Sequence, residues 1–292
     1  MLLKYRRDVT PSRKSYTYLL GDSRTEAARL RAQARLWDPS AHALFDRLKI
    51  RRGTRVLEIG PGAGSLHREL RRRVRGAVDA VEPSETFARG IERLAARDDF
   101  GAGQLWRANL ADVRLPRARY DVIFARWVFL FLPDPSAHVR QLARALKPGG
   151  RLAIQDYQRE TLRLIPLSAA WERFLAADRA FFESQGGDAS IAARLPALFT
   201  GAGLEVVDIT PTVKSGHPGS PVWNWLSAYF LGGVIDRLVG LEGFTAADAR
   251  QLTRDWVAAS NEPASLLIGP ALIDVVGRKR GTGRSKDRQP RS

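Results

Sequence analysis

Apolar residues fall along this chain in two rhythms. Short continuous runs alternate with longer stretches in which apolar positions recur every three or four residues. The runs are "RVLEIG", "AVDAVEP" (Ala77 to Pro83), "QLWRA" (Gln104 to Ala108), "YDVIFA" (Tyr120 to Ala125), "RLAIQDY" (Arg151 to Tyr157), "LEVVDIT" (Leu204 to Thr210) and a closing "ALIDVVGRK". Runs this dense in aliphatics suit strands buried on both faces. In the intervening "SAHVRQLARALKPGG", Val139, Leu142, Ala143 and Leu146 fall at helical spacing, and Pro148-Gly149-Gly150 halts the helix. This alternation predicts an α/β fold with a mainly parallel sheet and helices on both faces.

Three stretches stand outside the alternation. Near the N-terminus, Ser23 and Glu26 form a capping-box pattern, with Leu30, Ala34 and Trp37 on one face. "DPS" at Asp38 to Ser40 then predicts a break, and Leu44, Phe45 and Leu48 supply the buried side of a second helix. Residues 159–200 and 214–265 read as helical insertions. The expected division is a helical lid over 1–50, a core over 51–158, the rest of the core with both insertions over 159–276, and a basic tail over 277–292.

Composition narrows the chemistry. The chain has 292 residues, 44% of them hydrophobic, enough for one large domain. It contains no Cys, which excludes disulfides, thiolate metal sites and sulfur nucleophiles. No segment reads as a signal peptide or a membrane span, so a cytoplasmic protein is expected. Much of the net charge of +16 lies at the two ends. The final "GRKRGTGRSKDRQPRS" has nothing apolar to bury and is expected to be disordered; acidic surfaces or nucleic acid would attract it.

The chemistry concentrates after the first run. In "VLEIGPGAGSL", Gly60, Gly62 and Gly64 permit positive φ and close approach of a ligand, and the following helix offers free N–H groups. A glycine turn alone can also serve only tight packing. Glu82, 22 positions after Gly60, ends the next run, where a carboxylate can accept from both hydroxyls of a ribose. The two together point to a nucleoside cofactor. Ser65 departs from the dinucleotide pattern, which needs glycine or alanine there.

The run E-x-G-x-G-x-G from Glu58 to Gly64 resembles motif I of the class I S-adenosylmethionine-dependent methyltransferases. "VEPSETF" and "RANLADVRLP" resemble that family's second-strand acid and adenine-contacting turn. "YDVIFARWVFLFLPDP" followed by "LARALKPGGRLAI" resembles the fourth-to-fifth-strand segment of its small-molecule members, the ubiquinone/menaquinone-biosynthesis-like branch. The resemblance implies a Rossmann-like, doubly wound, seven-stranded sheet with N-terminal helices and helical caps. It implies S-adenosyl-L-methionine as cofactor, S-adenosyl-L-homocysteine as product, and no metal.

Residue by residue, the resemblance assigns the cofactor's amino group to Glu58, the methionine portion to Gly60, Gly62 and Gly64, and the ribose to Glu82, with Pro83 beside it. Asn109 would hydrogen-bond the adenine and Leu110 pack on it. Arg126 and Trp127 would border the methionine end, with Tyr18 and Gln33 as lid contacts. "ARWV" stands where base-methylating relatives carry an Asn/Asp-Pro-Pro-aromatic loop, so nucleic acid is not expected as the substrate. After the fifth strand, "QDYQRE" offers only Asp156 and Glu160, too few for a metal-dependent mechanism.

A small apolar or aromatic methyl acceptor is therefore expected, in a pocket made by Trp171, Trp223, Trp225 and Tyr229 of the insertions, with Phe230 nearby. The same spacings would equally serve as buried faces of cap helices, which could also carry a homodimer contact. His217 in "KSGHPGS" is the candidate base for a hydroxyl acceptor. Two other readings share the glycine loop: a nicotinamide-dependent oxidoreductase and a noncatalytic nucleoside- or nucleic-acid-binding protein.

Overall fold

A computed structural model describes residues 24–229 and 234–281, with side chains from residue 33 onward. Tyr18, Ser23, Phe230 and most of the basic C-terminal segment lie outside the described residues. The chain enters through helix α1 (Arg24–Arg47) and then alternates: β1 (Val56–Ile59), α2 (Ser65–Val74), β2 (Asp79–Val81), α3 (Glu85–Ala95), β3 (Leu105–Trp106), β4 (Tyr120–Arg126), α4 (Pro135–Ala145) and β5 (Leu146–Gln158). Beyond lie β6 (Arg163–Ile165), α5 (Ala169–Ser184), α6 (Leu195–Gly201), β7 (Leu204–Thr212), β8 (Ser215–Gly216), α7 (Pro221–Tyr229), α8 (Ile235–Leu238), α9 (Ala246–Asn261), β9 (Leu266–Ile268) and β10 (Ala271–Lys279).

Seven strands form the central sheet in the order β3-β2-β1-β4-β5-β10-β7. The first five pair in parallel, and β10 runs antiparallel to both β5 and β7. This is the mainly parallel, Rossmann-like sheet that the apolar runs predict. Leu57, Ile123, Ile154 and Val275 face one layer with Leu142 of α4 and Phe199 of α6. Phe124, Val122, Ala153 and Val276 face the other with Phe45 of α1 and Leu70 of α2. Strand order reverses between β1 and β4, opening a crevice beyond their carboxyl ends where such sheets bind ligands.

Three expectations need correcting. The N-terminal region is one helix across Asp38 to Ser40, with Pro39 inside it. Proline forfeits one backbone bond, but Trp37, Ala41, Leu44 and Phe45 are all fully buried on a single continuous face, and burial outweighs that loss. The two insertions are not purely helical. Strand β6 of the first and β8 of the second flank β9, which follows the second, in a small antiparallel sheet, and α6 packs on the central sheet rather than in the cap. The tail begins later than residue 277, because β10 runs to Lys279; Gly277 is needed there, since a Cβ would lie 2.4 Å from the Phe199 ring.

The cap's interior is aromatic. Trp256 of α9 stacks on Trp223 at 4.7 Å and on Trp171 at 6.0 Å. Beside them Arg159, just after β5, meets Asp178 of α5 through bonds of 2.8 and 3.0 Å, and Tyr229 of α7 donates to the same carboxylate at 3.1 Å. Burial disfavours the Arg159 charge, and Asp178 more than offsets that, holding the guanidinium above its ordinary pKa. This pair locks the cap to the end of the central sheet.

Removing Asp178 would strand a buried cation. Asp178→Ala is expected to lower unfolding stability by about 3–5 kcal/mol in denaturant titration. Arg173→Ala, which breaks a half-exposed pair with Asp248, is expected to change it by at most about 1 kcal/mol.

Candidate cofactor and acceptor site

The glycine loop leaves β1 at the switch point, and its three glycines answer to different constraints. Gly60, Gly62 and Gly64 all have positive φ, at 65°, 52° and 81°. A Cβ on Gly60 would lie 2.6 Å from Val128, and one on Gly64 would lie 2.6 Å from Leu94 of α3. Close packing against Val128 demands glycine at position 60, while at position 64, where the clash is with the flexible end of Leu94, the positive φ adds to the demand. A Cβ on Gly62 would meet nothing within 4 Å, so this turn borders open space where a ligand can approach the backbone.

Two buried acids frame the loop. Glu58 in β1 takes a 2.9 Å contact with His67 Nδ1 from α2, which fixes its carboxylate. Glu82, directly after β2, accepts from the Gly62 N–H at 3.0 Å through one oxygen and from the Ser84 N–H at 2.9 Å through the other. Burial pushes the Glu82 carboxyl up to about 7; the two backbone bonds oppose this and neighbouring Glu58 adds to it. Each oxygen keeps a lone pair for a further donor. The half-buried Pro83 follows, and Ser84 caps α3 by accepting from Phe87 N–H at 3.3 Å.

Asn109 leads into a one-turn 3-10 helix over Leu110–Asp112 and is half-buried. Leu110 differs from expectation: its side chain lies in the core beneath the sheet, and its carbonyl accepts from Gln141 at 3.1 Å. What it can present to a ring is therefore its backbone.

At the end of β4 the chain turns sharply, with Trp127 at φ 55°. Arg126 points under α1 and donates to Asp38 at 2.7 Å, while its guanidinium lies 4.2 Å from the Trp127 ring centroid. Burial lowers the Arg126 pKa, and Asp38 counters that without fully restoring it. Trp127 stacks on Tyr157 at 5.6 Å, and Tyr157 meets Trp37 edge-on at 6.0 Å and Trp225 of α7 at 6.4 Å. Trp225 donates to Gln33 of α1 at 3.4 Å. Helix α1 thus closes over the crevice, with Gln33, Trp37 and Asp38 all turned inward.

Among the residues expected in the acceptor pocket, Trp225 joins this group. Trp171 and Trp223 belong to the cap's interior stack, and Tyr229 is engaged with Arg159 and Asp178. His217 is exposed, its Nδ1 2.8 Å from the carbonyl of Pro218, on the loop between β8 and α7. Asp156 is buried and accepts from the N–H of Leu130 at 3.2 Å, bracing the turn after β4, and Glu160 is exposed. Asp38, Trp37, Tyr157 and His67 were not expected at the site. The sequence around Trp37 reads as a helix end and Tyr157 as one more strand residue, and neither pattern reveals a partner nearly ninety or more positions away.

The geometry fits a nucleoside cofactor: a positive-φ loop open at Gly62, an N-terminal helix end after it, and an acid with spare acceptor capacity on the next strand. Residues 28–209, more than half of the chain, match the methyltransferase domain family. The methyltransferase GfsG of Streptomyces halstedii is 30% identical over 195 residues, covering 63% of this chain and 67% of that protein. The ubiquinone/menaquinone biosynthesis C-methyltransferase UbiE of Serratia proteamaculans is 30% identical over 128 residues, which cover 43% of this chain and half of UbiE's length. The crystal structure of the [4+2]-cyclase SpnF superposes with a TM-score of 0.52 at 18% identity, covering 84% of this chain and 81% of SpnF, a likeness of fold. Family match and site geometry agree, and the chain belongs to the S-adenosylmethionine-dependent methyltransferases.

Proposed function

We propose that the protein binds S-adenosylmethionine across the β1–β2 edge of the crevice and transfers its methyl group to a small apolar or aromatic metabolite. The observation that carries this reading is the Glu82 carboxylate, bonded to the Gly62 N–H beside the one glycine of the loop that opens to free space. Glu82 would take the ribose hydroxyls, Gly60 to Gly64 would run along the methionine portion, and Asn109 with the Leu110 backbone would edge the adenine. Glu58, held by His67, would take the amino group, and Arg126 with Trp127 would stand at the methyl end.

Bound there, S-adenosylmethionine supplies an activated methyl group, so catalysis asks mainly for in-line approach of the acceptor. Trp127, Tyr157 and Trp225 would hold a flat acceptor and exclude water. Exposed on a loop, His217 has no part in this scheme, and positioning and desolvation carry the reaction. The relatives support a small acceptor: UbiE is by name a C-methyltransferase of quinone biosynthesis. SpnF carries a different activity on a similar fold, so transfer itself needs a test.

The test is calorimetric titration with S-adenosylmethionine and S-adenosylhomocysteine. Native protein is expected to bind both, and Glu82→Ala to lose about a hundredfold in affinity through two missing bonds to a charged group. Absence of binding to the native protein, with binding of NADH instead, would replace this reading with the oxidoreductase.

The ionisation of Glu82 adds a pH signature. Ribose hydroxyls donate to the ionised carboxylate, so below its pKa of about 7 a proton must leave before the cofactor binds. Affinity for S-adenosylhomocysteine is expected to fall about tenfold per pH unit as pH drops below 7, and to level off above it. In Glu82→Gln binding is weaker and the slope vanishes. A native profile flat from pH 5.5 to 8 would remove Glu82 from the binding site.

A further inference from the structure

The aromatic group beneath α1 has an imbalance in its polar atoms. Arg126 Nη1, Trp127 Nε1 and Trp37 Nε1 are all buried donors with no hydrogen-bond partner among the described residues. Buried donors are rarely left unpaired, and each one that is calls for an explanation such as a water, an ion or a catalytic role. These three belong to one cluster: the Arg126 guanidinium lies over the Trp127 ring, Trp127 stacks on Tyr157, and Tyr157 meets Trp37. The Arg126 side chain is only 8% exposed, and its other terminal nitrogen is held by Asp38, so Nη1 has a fixed direction.

The charges around the donors are mixed, the Arg126 guanidinium being paired with Asp38 and also feeling Glu58. Lys214 Nζ lies 5.6 Å from the Trp37 ring centroid and places a cation at that end of the cluster. The opposing feature is a buried acceptor without a partner, Gln155 Oε1, on the strand position paired with Arg126. Its amide donates to Asp274 at 2.6 Å, which fixes the oxygen outward from that bond. Three unpaired donors and one unpaired acceptor among indole and phenol rings suit a flat conjugated body with an electron-rich oxygen group.

Resting on the methyltransferase reading of this site, we infer that the methyl acceptor is an aromatic or conjugated carboxylic acid, whose carboxylate is taken by Arg126 Nη1, Trp127 Nε1 and Trp37 Nε1. A carboxylate has two oxygens and about four acceptor directions, enough for all three donors. Bonds to an ionised oxygen are the strong ones, so the site discriminates by charge as well as by shape. All three donor atoms are buried, where a bond to an anion is least screened by water.

The experiment is equilibrium dialysis of 2-naphthoate and of naphthalene against the full chain saturated with S-adenosylhomocysteine. Naphthoate is expected to bind at least about tenfold more tightly than naphthalene, one ionic hydrogen bond being worth that much. Trp37→Phe keeps a ring and removes one donor. It is expected to cut the naphthoate preference about fivefold or more, with S-adenosylhomocysteine affinity and far-ultraviolet circular dichroism as in the native protein. Trp127→Phe provides a second reading of the same ratio should the first variant fail to fold.

Equal binding of the two probes overturns the inference, as does a preference that survives both substitutions. Loss of S-adenosylhomocysteine affinity in Trp37→Phe, with the fold intact, would overturn it too by giving the donors to the cofactor. Failure of the native protein to bind S-adenosylhomocysteine is a separate result and removes the methyltransferase reading beneath it.

Discussion

The Glu82 carboxylate joins two neighbouring parallel strands where the sheet itself stops doing so. Beyond Val81 the β1–β2 ladder gives way to a single carboxylate that accepts one N–H from the glycine loop and one from the turn into α3. This arrangement holds the loop in its left-handed backbone and leaves Gly62 facing open space. It also keeps a buried acid that has no counter-cation among the described residues, and burial raises its pKa to about 7. Such an acid is costly to bury, and a ligand that donates to it recovers part of that cost.

A second constraint comes from α1. The helix is pinned at three levels: Arg47 reaches Asp208 and Asp274 on the antiparallel strands, Asp38 reaches Arg126 at the end of β4, and Gln33 reaches Trp225 in the cap. Its continuity through Pro39 makes these attachments act on one rigid rod. The same rod sets the ceiling of the crevice and brings Trp37 to Tyr157. A break at Pro39 would have let the two halves settle independently, and the aromatic cluster would have no fixed roof.

The cap has a different logic. Trp171, Trp223 and Trp256 give it a core of its own, and Arg159 with Asp178 and Tyr229 fastens it to the end of β5. Among the described residues expected in the pocket, only Trp225 turns from the cap toward the crevice. The division follows from helix geometry, because on α7 positions 223 and 225 lie some 200° apart and face opposite layers. Aromatic content therefore marked the cap as an apolar body without saying which rings line a site.

By itself the sequence determined the seven strands, the parallel α/β architecture, the glycine loop and the acid that closes it. These rest on periodicity and on backbone needs that are local, such as positive φ at Gly60 to Gly64, and local needs are written in consecutive residues. Tertiary structure decided what depends on distance in space: that Pro39 lies inside a helix, that His67 holds Glu58, that Leu110 turns into the core, and that Trp37, Asp38, Arg126 and Tyr157 meet. Asp38 and Arg126 are 88 positions apart, and their pairing exists only because a continuous helix packs across the carboxyl end of a parallel sheet. No spacing rule along the chain encodes that crossing, since packing of whole faces, and not neighbouring residues, sets it.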